Sequence, residues 1–170
     1  PILALNPLDD LADVFAKPNT LDLAALLRRY KDYLARLKAR GINPWKEQPR
    51  RQTDLHLFEA VGHFHLYAWL QNAMGRRCAV TPEFSTGNGR VDLHIGCAGQ
   101  RGIIEVKSFT DQYQAREDRK QAARYAQRLG FDQVTMAVFV PIEDETVLEK
   151  LSVHETVDGV TVSVVAIGWV

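Results

Sequence analysis

Residues 90–107 read RVDLHIGCAGQRGIIEVK, and this stretch decides the fold. From Arg90 to Gly96 the residues alternate strictly, with Val91, Leu93 and Ile95 on one face and Arg90, Asp92 and His94 on the other. A period of two marks a half-buried strand. AGQRG is a turn, and Gly102 to Phe109 forms the next strand. There Ile104 and Val106 share one face, while Glu105 and Lys107 share the other. Two charges thus stand inside a run that otherwise reads as core. Burying charges without partners is costly, and local rule-breaking of this sort is expected at functional sites.

The elements on either side complete an architecture. Cys78 to Glu83 is a short strand, joined to the next by the turn STGNG. Before it, a long helix capped by Thr53 or Asp54 reaches Met74 and stops at Gly75. After the charged strand, a helix runs from about Gln112 to Leu129 and ends at Gly130. Gln133 to Val140 is apolar and β-branched, a buried strand. A short helix over Glu143 to Leu151 follows. His154–Val157 and Val160–Val165 then flank Asp158-Gly159, a hairpin signal. Near the start, residues 7–15 suit a short helix. Leu21 to Arg40 is amphipathic through Leu23, Leu26, Leu27, Tyr30, Leu34 and Leu37, capped by Asn19 or Thr20 and closed by Gly41. GINPWKEQPRRQ has no periodicity and reads as a linker.

The fold class is therefore α/β. Three strands with short links form an antiparallel meander, and the fourth arrives through a helix and lies parallel to a neighbour. The product is a mixed central sheet with helices on both faces. Residues 1–52 are expected to be a helical arm and linker. Residues 53–170 are expected to be the core with a C-terminal β-hairpin, the whole making one globular domain.

Composition narrows the classes. With 46% hydrophobic and 25% charged residues, a disordered tail, a collagen-like repeat and a disulfide-stapled miniprotein are excluded. No apolar run approaches the roughly 18 residues of a membrane span, so no membrane role is expected. The chain begins at Pro1 without a signal-peptide pattern and is expected to be a piece of a longer protein. Two cysteines, Cys78 and Cys97, leave a single disulfide open without requiring one; a reducing cytoplasm is the simpler reading. The net charge is zero, but residues 141–170 hold six acids against Lys150 alone, so residues 1–140 carry +5. Local positive potential is what a nucleic-acid partner needs.

If the two charged strands are neighbours, Asp92, Glu105 and Lys107 converge on one face. A hard cation such as Mg²⁺ takes one or two carboxylates plus waters and substrate phosphate. It lowers the pKa of a bound water and stabilises charge on a phosphoryl oxygen, and Lys107 beside it can orient that water or steady the developing charge. The competing interpretation is a structural ion-pair network on one sheet face.

Asp92, followed thirteen residues on by Glu105-Val106-Lys107, resembles the motif of the PD-(D/E)xK nuclease superfamily. Gly89-Arg90-Val91-Asp92 is similar to the G-x-x-D string of its RecB-like branch, and Gln121 and Tyr125 match that branch's Q-x-x-x-Y pattern. Val91 stands where the superfamily's proline would be. The resemblance covers about residues 53–141 and implies a restriction-endonuclease-like αβββαβ core. It implies a metal-dependent nuclease, with Mg²⁺ or Mn²⁺ on Asp92 and Glu105, Lys107 catalytic and Glu59 an auxiliary metal ligand. Gln121 and Tyr125 would support the site or touch nucleic acid. Set against these roles, Glu59 reads as a solvated helix residue, Gln121 as a surface hydrogen bond and Tyr125 as a half-buried ring. Some relatives are fused behind a P-loop ATPase. No such loop occurs in this chain, so an ATPase domain would lie upstream.

Arg116, Lys120, Arg124 and Arg128 recur every four residues and make a basic stripe suited to a phosphate backbone. Glu117 and Asp118 partly offset it, which fits an ordinary solvated face as well. The histidines His56, His63 and His65 fit no zincin or di-iron spacing and read as polar positions of an amphipathic helix. The cysteines lack metal-site spacing, and Trp45, Trp69 and Trp169 read as core or interface residues. The sequence thus points to a nuclease acting on nucleic acid, with DNA expected over RNA. The alternatives are an inactive nuclease-fold module that binds nucleic acid and a protein-interaction domain of a larger ATPase. The oligomeric state is left open.

Overall fold

A computed structural model of the chain describes residues 11–17, 21–45, 55–84 and 91–169. Residues 11–16 form turns, with Val14 N–H bonded to the Leu11 carbonyl at 3.0 Å, where a short helix was expected. The first helix, α1, spans Leu23–Ala39. Its cap is Asp22, whose carboxylate accepts the Ala25 N–H at 2.9 Å. That role was expected of Asn19 or Thr20, which lie outside the described residues. With Leu23 as the first helical residue, Asp22 is the side chain that can reach an N–H three positions on. Gly41, at φ 75°, turns the chain out of the helix. The second helix, α2, spans Leu55–Met74, and its expected caps Thr53 and Asp54 lie outside the described residues.

The meander follows as expected: β1 Cys78–Phe84, β2 Val91–Cys97 and β3 Gln100–Ser108, each pair antiparallel. The link between β2 and β3 is tighter than AGQRG suggests. Ala98 and Gly99 alone make the turn, both with positive φ. Next come α3 over Gln112–Arg128, β4 over Gln133–Val140, α4 over Glu145–Leu151, β5 over His154–Val157 and β6 over Val160–Gly168. The Asp158-Gly159 hairpin forms with both residues at positive φ. The six strands lie in the order β1-β2-β3-β4-β6-β5. β3, β4 and β6 are mutually parallel, so the sheet is mixed and the protein is α/β.

The hairpin is not an appendage. β6 lies between β4 and β5 in the interior of the sheet, and its inward positions are buried. A second departure concerns α1. Its buried leucines and Tyr30 join the same apolar cluster as Leu93, Ile104, Val106, Phe139 and Ile167. Lys31 and Lys38 pair with Glu145 and Glu143 at 3.3 and 3.2 Å, so the acidic C-terminal segment meets basic charge from α1. On that same face α2 packs against β1 and β3. Gly62 allows the close approach: a Cβ there would sit 2.7 Å from the Phe139 ring. The opposite face is covered by α3, whose Ala122, Ala123 and Ala126 pack on Val134, Met136, Val162 and Val164.

Cys78 and Cys97 are directly opposite in the β1–β2 register and are joined by a disulfide. Their Cα atoms are 4.4 Å apart, the spacing of a non-hydrogen-bonded antiparallel pair. Register, not spacing along the chain, brings them together. Among the described residues, no helix is long and apolar enough to cross a membrane.

Candidate functional site

The antiparallel registers place Glu83, Asp92 and Glu105 in one rung across β1, β2 and β3. Residues directly opposite in a ladder project from the same face. Lys107 shares that face, two residues along β3 from Glu105. This is the face that α3 covers, since Glu105 and Lys107 are in register with Met136 and Val138 of β4. Asp92 is 1% exposed and Glu105 0%. The Lys107 Nζ lies 3.8 Å from Glu105 Oε1, with the lysine side chain 14% exposed. The structure therefore brings Asp92, Glu105 and Lys107 together. Two carboxylates directly opposite each other are mutually destabilising, and a positive charge beside them relieves that repulsion.

His94 belongs to the same face, as the alternation of β2 implied, and so does Glu83, which escaped the sequence reading. His94 Nε2 sits 3.6 Å from Glu83 Oε2, across the ladder. The signal for Glu83 was its place near the end of β1, but its rung depends on the length of the β1–β2 turn, which alternation does not fix. Arg90, the other polar residue foreseen here, lies outside the described residues.

Gln121 and Tyr125 lie on α3, both half-buried. Arg119 of this helix bonds Glu155 of β5 at 2.6 Å, and Gln127 bonds the Asp158 carbonyl. Those contacts turn one flank of α3 toward β5. At 100° per residue, Gln121 and Tyr125 fall on the other flank of the helix. Glu59 lies in α2, on the helix that covers the opposite face of the sheet. Its side chain is outside the described residues. The basic stripe divides: Lys120 pairs with Glu117 at 3.0 Å, while Arg124 and Arg128 are exposed along the outer surface of α3. Arg116 instead joins Arg119 and Lys150 around a cleft.

On the α1–α2 side, His63 and His65 lie among aromatic rings. Burial pushes the His63 imidazole down to about 4 and lowers His65 as well. Tyr30 Oη and His65 Nδ1 are hydrogen-bonded at 2.6 Å, and Trp45 packs against the same imidazole. Tyr30 itself is raised well above the usual phenol range by burial. His63 is buried and His65 half-buried, where the helix-face reading expected ordinary polar positions.

As a donor set, two carboxylates from paired strands suit Mg²⁺ or Mn²⁺, which take few protein oxygens and complete their shell with water. Among the described residues, no group of three or more His, Cys, Asp or Glu is placed to hold a metal. The pair Asp92 and Glu105 lies within the one or two carboxylates that such an ion uses. No protein-family model, no curated protein and no solved structure matches this chain.

Proposed function

We propose that this chain is a metal-dependent nuclease of the PD-(D/E)xK type, hydrolysing phosphodiester bonds of nucleic acid, DNA in the first instance. The observation that carries the reading is the rung pairing Asp92 with Glu105, with Lys107 beside it on the same face. The order helix, three-strand meander, helix, parallel strand supports a restriction-endonuclease-like core. Asp92 and Glu105 would hold Mg²⁺ or Mn²⁺. Such an ion, when bound, supplies a water of lowered pKa and charge stabilisation at a phosphoryl oxygen. Lys107 holds its ammonium at the rim of the pair, where it orients the attacking water and meets the negative charge that develops. Gln121 and Tyr125 of α3, which match the branch's Q-x-x-x-Y pattern, would position substrate.

A second reading has its own support. Asp92 and Glu105 are almost without solvent exposure, which suits a retired site in a module that binds nucleic acid or docks within a larger ATPase. One pair of measurements separates the two. Mn²⁺ is titrated calorimetrically into wild type and Asp92→Ala, and both are assayed for cleavage of mixed DNA substrates. Metal binding and cleavage that disappear together in the variant establish the nuclease. Folded wild type that neither binds Mn²⁺ nor cuts overturns the nuclease reading and leaves the rung a structural ion-pair network.

A further inference from the structure

A cleft of about 140 Å³ opens where the C-terminal end of β3 meets the first turns of α3. Its floor includes Met136 and Val138, the β4 residues in register with Glu105 and Lys107. It therefore begins one strand away from the carboxylate rung, on the same face. Its polar walls are Ser108, Thr110, Arg116, Asp118, Arg119 and Lys150.

The charges of this cleft are uneven. Asp118 is buried and accepts Gln114 Nε2 at 2.9 Å. Arg119 is held by Glu155 through Nε, at 2.6 Å. Among the described residues, no carboxylate pairs with Arg116 or Lys150. With Arg119 paired to Glu155, the walls set two uncommitted cations, Arg116 and Lys150, against the Asp118 carboxylate, and an anion seated between them is favoured. Size limits the anion. Clefts that enclose drug-sized molecules run to roughly 300–1,000 Å³, so this one takes a single charged group and leaves the rest of its ligand outside. Connectivity selects among such groups. A phosphate monoester, about −1.5 to −2 at neutral pH, can meet both Arg116 and Lys150 and has a single substituent to leave outside, where a diester has two. Hydroxyls at Ser108 and Thr110 add hydrogen-bonding groups for phosphoryl oxygens.

Tyr113 completes the arrangement. It is 74% exposed on α3, three residues before Arg116 and so its neighbour on the helix surface. An exposed ring beside a cationic groove is a stacking platform for a base.

We propose that the cleft binds a phosphate monoester, the terminal phosphate of a nucleic-acid strand or of a nucleotide, with the attached base stacked on Tyr113. The inference deepens the nuclease reading by naming a strand end as the ligand. It rests on that reading for the link to cleavage, not for the binding itself.

The test uses fluorescence anisotropy in EDTA, which stops any hydrolysis. Labelled single-stranded oligonucleotides carrying a terminal phosphate or a terminal hydroxyl, at the 5′ and at the 3′ end, are titrated with wild type and with Arg116→Glu/Lys150→Glu. Both substituted side chains are exposed, and a melting curve verifies folding. Wild type is expected to prefer one phosphorylated end by about tenfold or more, the effect of one or two charge-assisted hydrogen bonds. The double variant is expected to lose that preference, binding phosphorylated and hydroxyl strands equally whatever its overall affinity for strands. Equal binding of phosphorylated and hydroxyl strands by wild type overturns the proposal, as does a preference that survives in the double variant. Competition identifies the source. Displacement by inorganic phosphate or a mononucleotide at the strand's own concentration assigns the site to the small ligand, and displacement by a phosphorylated strand alone assigns it to the strand end; both uphold the monoester site. Loss of the nuclease reading appears separately, as absence of Mn²⁺-dependent cleavage with the phosphate preference intact.

Discussion

At the scale of single residues, Lys107 and the histidines make opposite demands on their surroundings. On the nuclease reading Lys107 meets charge that exists only in the transition state. Lys107→Ala is then expected to lower kcat by about 10²–10³ with little change in KM, measured under steady-state conditions with Mn²⁺. His63 works through folding instead. Its imidazole is 2% exposed and held near 4, against 6.5 for an unperturbed group. Below pH 6.5 the unfolded chain takes up a proton that the native chain refuses, so stability is lost as pH falls from 6.5 toward 4. Urea midpoints across that window are expected to drop less steeply in His63→Gln than in wild type. A parallel decline in both proteins would remove His63 as the cause. The sequence exposed these two cases unequally. Charges in an apolar strand advertise Glu105 and Lys107. His65, two residues on from His63, gives no sign in sequence of which rings will surround it, because Tyr30 and Trp45 reach that space from another helix and a loop.

At the scale of elements, period and punctuation were legible and pairing was not. Sequence pattern gave the strands within a residue or two, except β6, which runs three residues past Val165, and glycines at 41 and 130 marked helix ends, both at positive φ. Which strand lies beside which is a long-range matter that local pattern does not encode. Hence β6 inside the sheet, the Cys78–Cys97 bridge and the place of Glu83 all came from the structure. Two substitutions probe the elements. Gly62→Ala would press a methyl group 2.7 Å from the Phe139 ring, in a core where that ring is itself enclosed. A loss of about 1–3 kcal/mol is expected from chemical denaturation, the usual cost of overpacking. Ala98 occupies left-handed backbone, at φ 49°, in the two-residue turn between β2 and β3. Ala98→Asn creates the Asn-Gly pair that such turns favour, and a gain of about 1 kcal/mol is expected in the same assay.

At the scale of the whole molecule, the disulfide and the strand order govern how the sheet holds together. The bridge joins positions 19 apart in sequence and pins the end of the β1–β2 ladder remote from Asp92. Cys78→Ser/Cys97→Ser, or reduction of wild type, is expected to cost about 3 kcal/mol, the loop-closure value for a ring of this length. Thermal melts with and without reductant would show it, and identical melts would mean the bridge contributes nothing. The interior position of β6 has a different consequence. During synthesis β4 emerges well before β6, and both of its faces are apolar, as the run Val134, Met136, Ala137, Phe139 and Val140 shows. Until residues 160–168 arrive to cover it, β4 is an open, sticky margin with unpaired backbone groups, the condition under which nascent chains recruit chaperones or one another. The slowest and most hazardous moment in the life of this protein is therefore expected at its birth, in the interval between making its fourth strand and its sixth.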